Sequence, residues 1–187
     1  MKLARLRGLA LASLITLLLA GCGNSKPEST VEKALAIPAT CENQKIIDAL
    51  PADVRANAKY IPTTWQPAQG SDLEAVLNSG GLACSYGIQN AEIGATIYWT
   101  ATDFSIFDSR KAGWIALGMK ELKLANGDTA YAVEDNKSLN PEIHSWAIEI
   151  SHKNVWIHIG ATYVYTLKEA QPIIARSEEH TSELQSH

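Results

Sequence analysis

Two short runs late in the chain constrain the fold more than any other part of it. In one, Trp146, Ile148 and Ile150 alternate with Ala147 and Glu149. In the other, Val155, Ile157 and Ile159 alternate with Trp156 and His158. A period of two puts every second side chain on the same face of a strand, so each run reads as a strand with one buried face. The intervening Ser-His-Lys-Asn, residues 151–154, reads as a turn that makes the pair an antiparallel hairpin. Burial fixes the register, because a slip of one residue would turn Val155, Ile157 and Ile159 out to water. The same register sends Trp156, His158 and Glu149 to the other face, beside the small Ser145 and Ala147. A large aromatic on an otherwise polar sheet face is a plausible contact surface, so these three form the candidate binding site, with His158 and Glu149 as polar handles. The alternative is that a helix, or the loop carrying Trp65, covers that face and makes Trp156 ordinary core.

The rest of the chain supplies more strands and several helices. Thr40 can cap a helix at about 42–50, with Ile46, Ile47 and Leu50 inward and Pro51 as its stop. Pro62, Pro67 and Gly70 mark a loop region around Trp65. Ser71 and Glu74 make a capping box for a helix to Asn78, which Gly80-Gly81 ends. The period then becomes two: Leu82, Cys84, Tyr86 and Ile88 share one face, as do Ile97, Trp99 and Ala101. Thr102 or Asp103 can cap a helix over 104–117, with Phe107, Trp114 and Ile115 on one side. Asn126-Gly127 predicts a hairpin with a type I′ turn, and residues 134–142 a polar loop. Thr166 and Glu169 form a second capping box, with Pro172 limiting the regularity of its helix. The expected fold is α+β: an antiparallel sheet of about five to six strands, with helices packed mainly on one face. Trp99, Trp114 and Trp146 lie on the apolar stripes; Trp65 and Trp156 do not.

The chain ends speak of compartment. Lys2, Arg5 and Arg7 precede an uncharged, mostly apolar run from Gly8 to Gly21. That is the pattern of a secretory signal, and it is too short for a membrane span of ~20 apolar residues. Leu19-Ala20-Gly21-Cys22 closes it and resembles the lipobox of bacterial lipoprotein precursors. The resemblance implies a signal peptide over 1–21 and a lipid on the Cys22 thiol. That lipid would be the membrane attachment, placing the protein on the extracytoplasmic face of the cell membrane. Residues 22–38 then read as a flexible tether and 39–175 as a single domain. With Cys22 used by the lipid, Cys41 and Cys84 remain, and outside the cytoplasm such a pair forms a disulfide. By loop entropy alone that bridge is worth about 4 kcal/mol. Over all twelve residues, 176–187 (RSEEHTSELQSH) is similar to the in-frame translation of a common sequencing-library adapter, and is set aside as an artefactual tail.

Further residues match within the domain. Ala39-Thr40-Cys41-Glu42 opens the first helix. In Gly80-Gly81-Leu82-Ala83-Cys84-Ser85-Tyr86 a glycine pair leads into a cysteine-bearing strand. With the lipobox, these resemble a group of small actinobacterial lipoproteins of unknown function, which often have Trp where Tyr86 stands. The resemblance spans about 22–167 and implies a sheet backed by helices, as in PsbP- or Mog1-like folds, with no known catalysis.

Residue chemistry adds little. There is no Gly-x-Ser-x-Gly elbow, no His-Glu-x-x-His and no phosphate-cradling glycine loop. His144, His152 and His158 are the nearest approach to a metal set. His144 and His158 fall on opposite strand parities and His152 in a turn, so they read as surface histidines, and no metal ligand or cofactor is assigned. Glu134-Asp135, and Asp103 with Asp108, read as solvated charge. Residues 22–175 carry 12 Lys+Arg against 17 Asp+Glu, a net charge of −5, which argues against nucleic acid as a partner. The expected function is a non-catalytic binding or accessory module for an unknown protein or small ligand. The alternatives are a small hydrolase built from His144, His158 and a loop carboxylate, and a structural envelope component.

Overall fold

Alternation is carried through a single sheet. The computed structural model describes residues 37–91, 93–101, 105–135 and 144–182. The signal segment, Cys22, most of the tether and the Thr102/Asp103 cap lie outside the described residues. In chain order the elements are α1 (Gln44–Asp48), α2 (Ala52–Arg55), β1 (Lys59–Pro62), α3 (Asp72–Asn78), β2 (Leu82–Ile88), β3 (Ile93–Ala101), α4 (Ser105–Ala116), β4 (Lys120–Lys123), β5 (Thr129–Asp135), β6 (Ser145–His152), β7 (Val155–Thr162) and α5 (Leu167–Ser182). None of the described helices is long and apolar enough to cross a membrane.

The fold is α+β, with a seven-stranded antiparallel sheet in the order β1-β2-β3-β7-β6-β5-β4. Seven strands exceed the expected five to six. β1 is the strand the sequence reading missed: Lys59-Tyr60-Ile61-Pro62 sits in a stretch read as loop, and it pairs on one side only, with β2. An edge strand tolerates Pro62 because no ladder partner needs the missing N–H. The chain crosses the sheet between β3 and β4, and α4 makes that crossing.

Helices lie on both faces, not mainly on one. The first face gathers Cys84, Tyr86, Ile97, Trp99, Ile148, Ile150, Ile157 and Ile159 under Ile46, Ile47, Val54, Ile173 and Ile174 of α1, α2 and α5. The second gathers Ala83, Tyr98, Tyr131 and Trp156 under Leu73 and Val76 of α3 and Phe107 and Trp114 of α4. The Cys41–Cys84 disulfide is formed, joining the segment before α1 to β2 within the first core.

Local signals held in kind and shifted in detail. Asn43 caps α1, accepting from the Lys45 N–H, in place of Thr40. Ser71 accepts from the Glu74 N–H at 3.1 Å, while the Glu74 carboxylate reaches the Gly70 N–H at 2.6 Å. The β4–β5 hairpin is not a two-residue type I′ turn. Its loop is closed by Leu124 N–H to the Asp128 carbonyl and Gly127 N–H to the Leu124 carbonyl, and of Asn126 and Gly127 only Gly127 has a positive φ (+90°). The Asn126 side chain is spent accepting from the Asp128 N–H instead.

The adapter-like segment is not a detached tail. α5 continues through residues 176–182, with Ser177 and Thr181 fully buried, and the Trp99 indole donates to the Ser177 carbonyl at 3.1 Å. Ala170, Ile173, Ile174, Ser177 and Thr181 share one helical stripe, so small residues there extend the inward face of α5.

Candidate functional site

Strand register brings the three candidate binding residues together. Glu149 on β6 stands directly opposite His158 on β7, which stands opposite Tyr98 on β3; Tyr131 on β5 flanks Glu149 on the other side. A transverse row therefore runs Tyr98–His158–Glu149–Tyr131 across the second face. Trp156 lies in the row above, between Thr100 and Ser151. Its indole donates to Glu149 Oε2 at 2.7 Å, and His158 Nδ1 meets Glu149 Oε1 at 2.6 Å. Tyr98 stacks on the His158 ring, with centroids 4.6 Å apart.

Trp156 is not the exposed contact surface that the polar alternation implied. It is 0% exposed, packed edge-on against Phe107 and tilted against Trp114. The covering helices are fastened by charge. Asp72, in the first turn of α3, accepts from the Trp114 indole at 3.0 Å and pairs with Arg110 of α4 at 3.2 Å. Arg110 also donates to the Gly70 carbonyl at 2.6 Å.

Glu149 is 1% exposed, so its carboxylate is satisfied by these two donors rather than by water. Burial raises its pKa by more than His158 and Trp156 lower it, and Asp72 adds to the rise. Burial works to lower the His158 pKa, but the charge and hydrogen bond of Glu149, with the charge of Asp72, outweigh it and raise it. Both groups thus hold their protons to higher pH than usual.

The next row down is built of small residues: Ser85, Thr96, Gly160 and Ala147 face one another across β2, β3, β7 and β6. There the second face opens into a groove of about 200 Å³, lined by Thr63, Ser85, Thr96, Gly160 and Thr162, with Ile61 and Trp65 at the β1 side. Thr63 and Ser85 hydroxyls lie 3.4 Å apart. Among the described residues no hydrogen bond engages the Thr96 hydroxyl. A Cβ on Gly160 would meet His158 Nε2 at 3.6 Å and little else, so Gly160 keeps the edge of the histidine ring beside the groove.

The three histidines do not converge. His144 pairs with Glu134 at 3.1 Å, His152 with Asp128 at 2.5 Å and His158 with Glu149. They are partnered, partly buried imidazoles rather than surface ones, and among the described residues His144 and His158 take separate carboxylates, Glu134 and Glu149. Asp128, His152 and Glu178 do approach one another, with ligand atoms within 4.8 Å, but Glu178 belongs to the adapter-like segment. Sequence reading missed Asp72, Thr96 and Gly160. The decline in size along alternate positions of β7, from Trp156 through His158 to Gly160, is the signal that marked the opening.

Comparison of the chain with protein-family models, with curated proteins and with solved structures finds no match.

Proposed function

We propose that this chain is a lipid-anchored extracytoplasmic binding module of the small actinobacterial lipoprotein kind, held to the membrane through Cys22 and taking a small ligand in the groove beside His158. The observation that carries the binding reading is the groove that, among the described residues, opens at the small-residue row of Ser85, Thr96 and Gly160. A sheet face built only for stability would continue the aromatic packing of Trp156 and Tyr98, whereas concave openings with a few polar groups are where ligands bind.

One observation favours chemistry: an imidazole oriented by a buried carboxylate is half of a general-base arrangement. Two others weigh against it. The raised His158 pKa favours the protonated, non-basic form, and among the described residues no hydroxyl or thiol is hydrogen-bonded to its ring. Binding is therefore the better-supported reading.

Two measurements test it. Cys22→Ser should accumulate as an unlipidated precursor; a normally cleaved, acylated product in that variant refutes the anchor. Full-length protein incubated with a small-molecule extract of bacterial envelope should retain a ligand detectable by native mass spectrometry, and Gly160→Leu, which fills the groove, should not. Equal retention by both refutes the groove.

A further inference from the structure

Resting on the binding reading, we infer that the groove takes a neutral saccharide, one sugar face lying on Trp65 and its hydroxyls meeting Thr96, Ser85 and Thr63. Three independent features point to that ligand class. Trp65 is 50% exposed although large aromatics elsewhere on this face are buried, and it lines the groove rather than standing apart from it. An exposed indole offers a flat, electron-rich face, and the C–H face of a pyranose ring is a matching apolar surface. Beside apolar Ile61, Ile88 and Ile93, the groove is lined by hydroxyls on adjacent strands: Ser85 on β2, Thr96 directly opposite it on β3, and Thr63, whose N–H bonds the Ala83 carbonyl and so prolongs β1 pairing beside them. Hydroxyls both donate and accept, as does a sugar hydroxyl, so the pairing needs no fixed polarity. Among the described residues no charged side chain lines the groove. A phosphate, carboxylate or ammonium ligand would be desolvated there without a counter-charge, at a cost that a neutral polyol does not carry.

Isothermal titration of the full chain against chitotriose, cellotriose and maltotriose reads this directly. At least one should bind saturably. Trp65→Ala, at a half-exposed position outside both buried clusters, should weaken it by about tenfold or more with the thermal midpoint little changed, and Thr96→Val, which removes a hydroxyl at constant shape, by a smaller factor. Saccharide binding unchanged in Trp65→Ala and Thr96→Val would place the site elsewhere and overturn the inference. No binding by any of the three, while an envelope-derived ligand is retained by wild type and lost in Gly160→Leu, would overturn the ligand class and leave the binding reading intact. No retained ligand of any kind would overturn both.

Discussion

The two faces of the sheet solve the same burial problem differently. The first is closed by aliphatic side chains: Ile97, Ile148, Ile150, Ile157 and Ile159 are all fully buried beneath three helices, stapled by Cys41–Cys84. The second is aromatic and charged. Trp156, Trp114, Phe107 and Tyr131 pack around a buried carboxylate, a partnered histidine and an Asp–Arg pair, and among the described residues this packing gives way to a groove at Ser85, Thr96 and Gly160. Burying an ion pair is seldom a route to stability, because desolvation offsets most of the attraction. A chain whose first face shows that it can fill a core with isoleucine carries Glu149 and His158 on the second. The difference teaches that both faces are packed for stability, but that only the second carries ionisable groups within its packing, so binding chemistry is to be sought there.

That contrast can be broken at its centre. Trp156→Ala should lower unfolding free energy by ~3–5 kcal/mol, comparable to the ~2–5 kcal/mol expected for Ile157→Ala on the opposite face. Denaturant unfolding of both variants decides it. A loss below ~1 kcal/mol for Trp156→Ala would mean that α3 and α4 do not bury the second face.

The charged pair gives a second, pH-dependent test. Because Glu149 and His158 both have raised pKa values when folded, the folded protein holds more protons than the unfolded chain. Stability from the pair is then full at acid pH below the ordinary carboxylate value. It falls as pH rises through the ordinary Glu range and on through the raised histidine value. The groups facing the pair are Asp72 from α3, with Arg110 of α4 bound to it, and Tyr98 from β3. Glu149→Gln should therefore destabilise near pH 5.5–6 and do so less, or not at all, near pH 9. Thermal midpoints across that range check it; a penalty that grows with pH would refute the assigned ionisation.

The smallest effect sharpens the comparison most. Gly160→Ala should change stability by no more than ~0.5 kcal/mol, since its Cβ meets nothing closer than 3.6 Å. Gly94→Ala, at φ +134° with the new Cβ 2.1 Å from the Tyr86 carbonyl oxygen, should be severely destabilising. Equal costs at the two positions, compared by thermal denaturation, would mean that the opening at Gly160 is packed rather than open.

Much of the frame was readable without coordinates. The face assignment of β6 and β7, the helix beginning at Ser71, the hairpin at Asn126-Gly127 and the Cys41–Cys84 pairing all follow from signals within a few residues or from a simple count of thiols. β1 was not readable, because four residues ending in proline carry almost no periodic signal. Alternation places Trp156, His158 and Glu149 together; the burial of Trp156 is the covered-face alternative, with a helix as the cover, and the groove lies one row further along the strands.

The sequence by itself determined which side chains share a face, because alternation is a property of each strand alone. It also determined where helices begin, because caps are local hydrogen bonds. Only the tertiary structure decided what lies on each face. The crossing from β3 to β4 carries α4 over the sheet, and Asp72 and Arg110, 38 residues apart in sequence, lock it to α3. Where that layer reaches, Trp156 is core and Glu149 loses its water; where it ends, Thr96 and Gly160 stay open. The falling side-chain size along β7 marks where the opening lies, but the reach of the cover is set by long-range packing between segments that know nothing of each other until the sheet has formed.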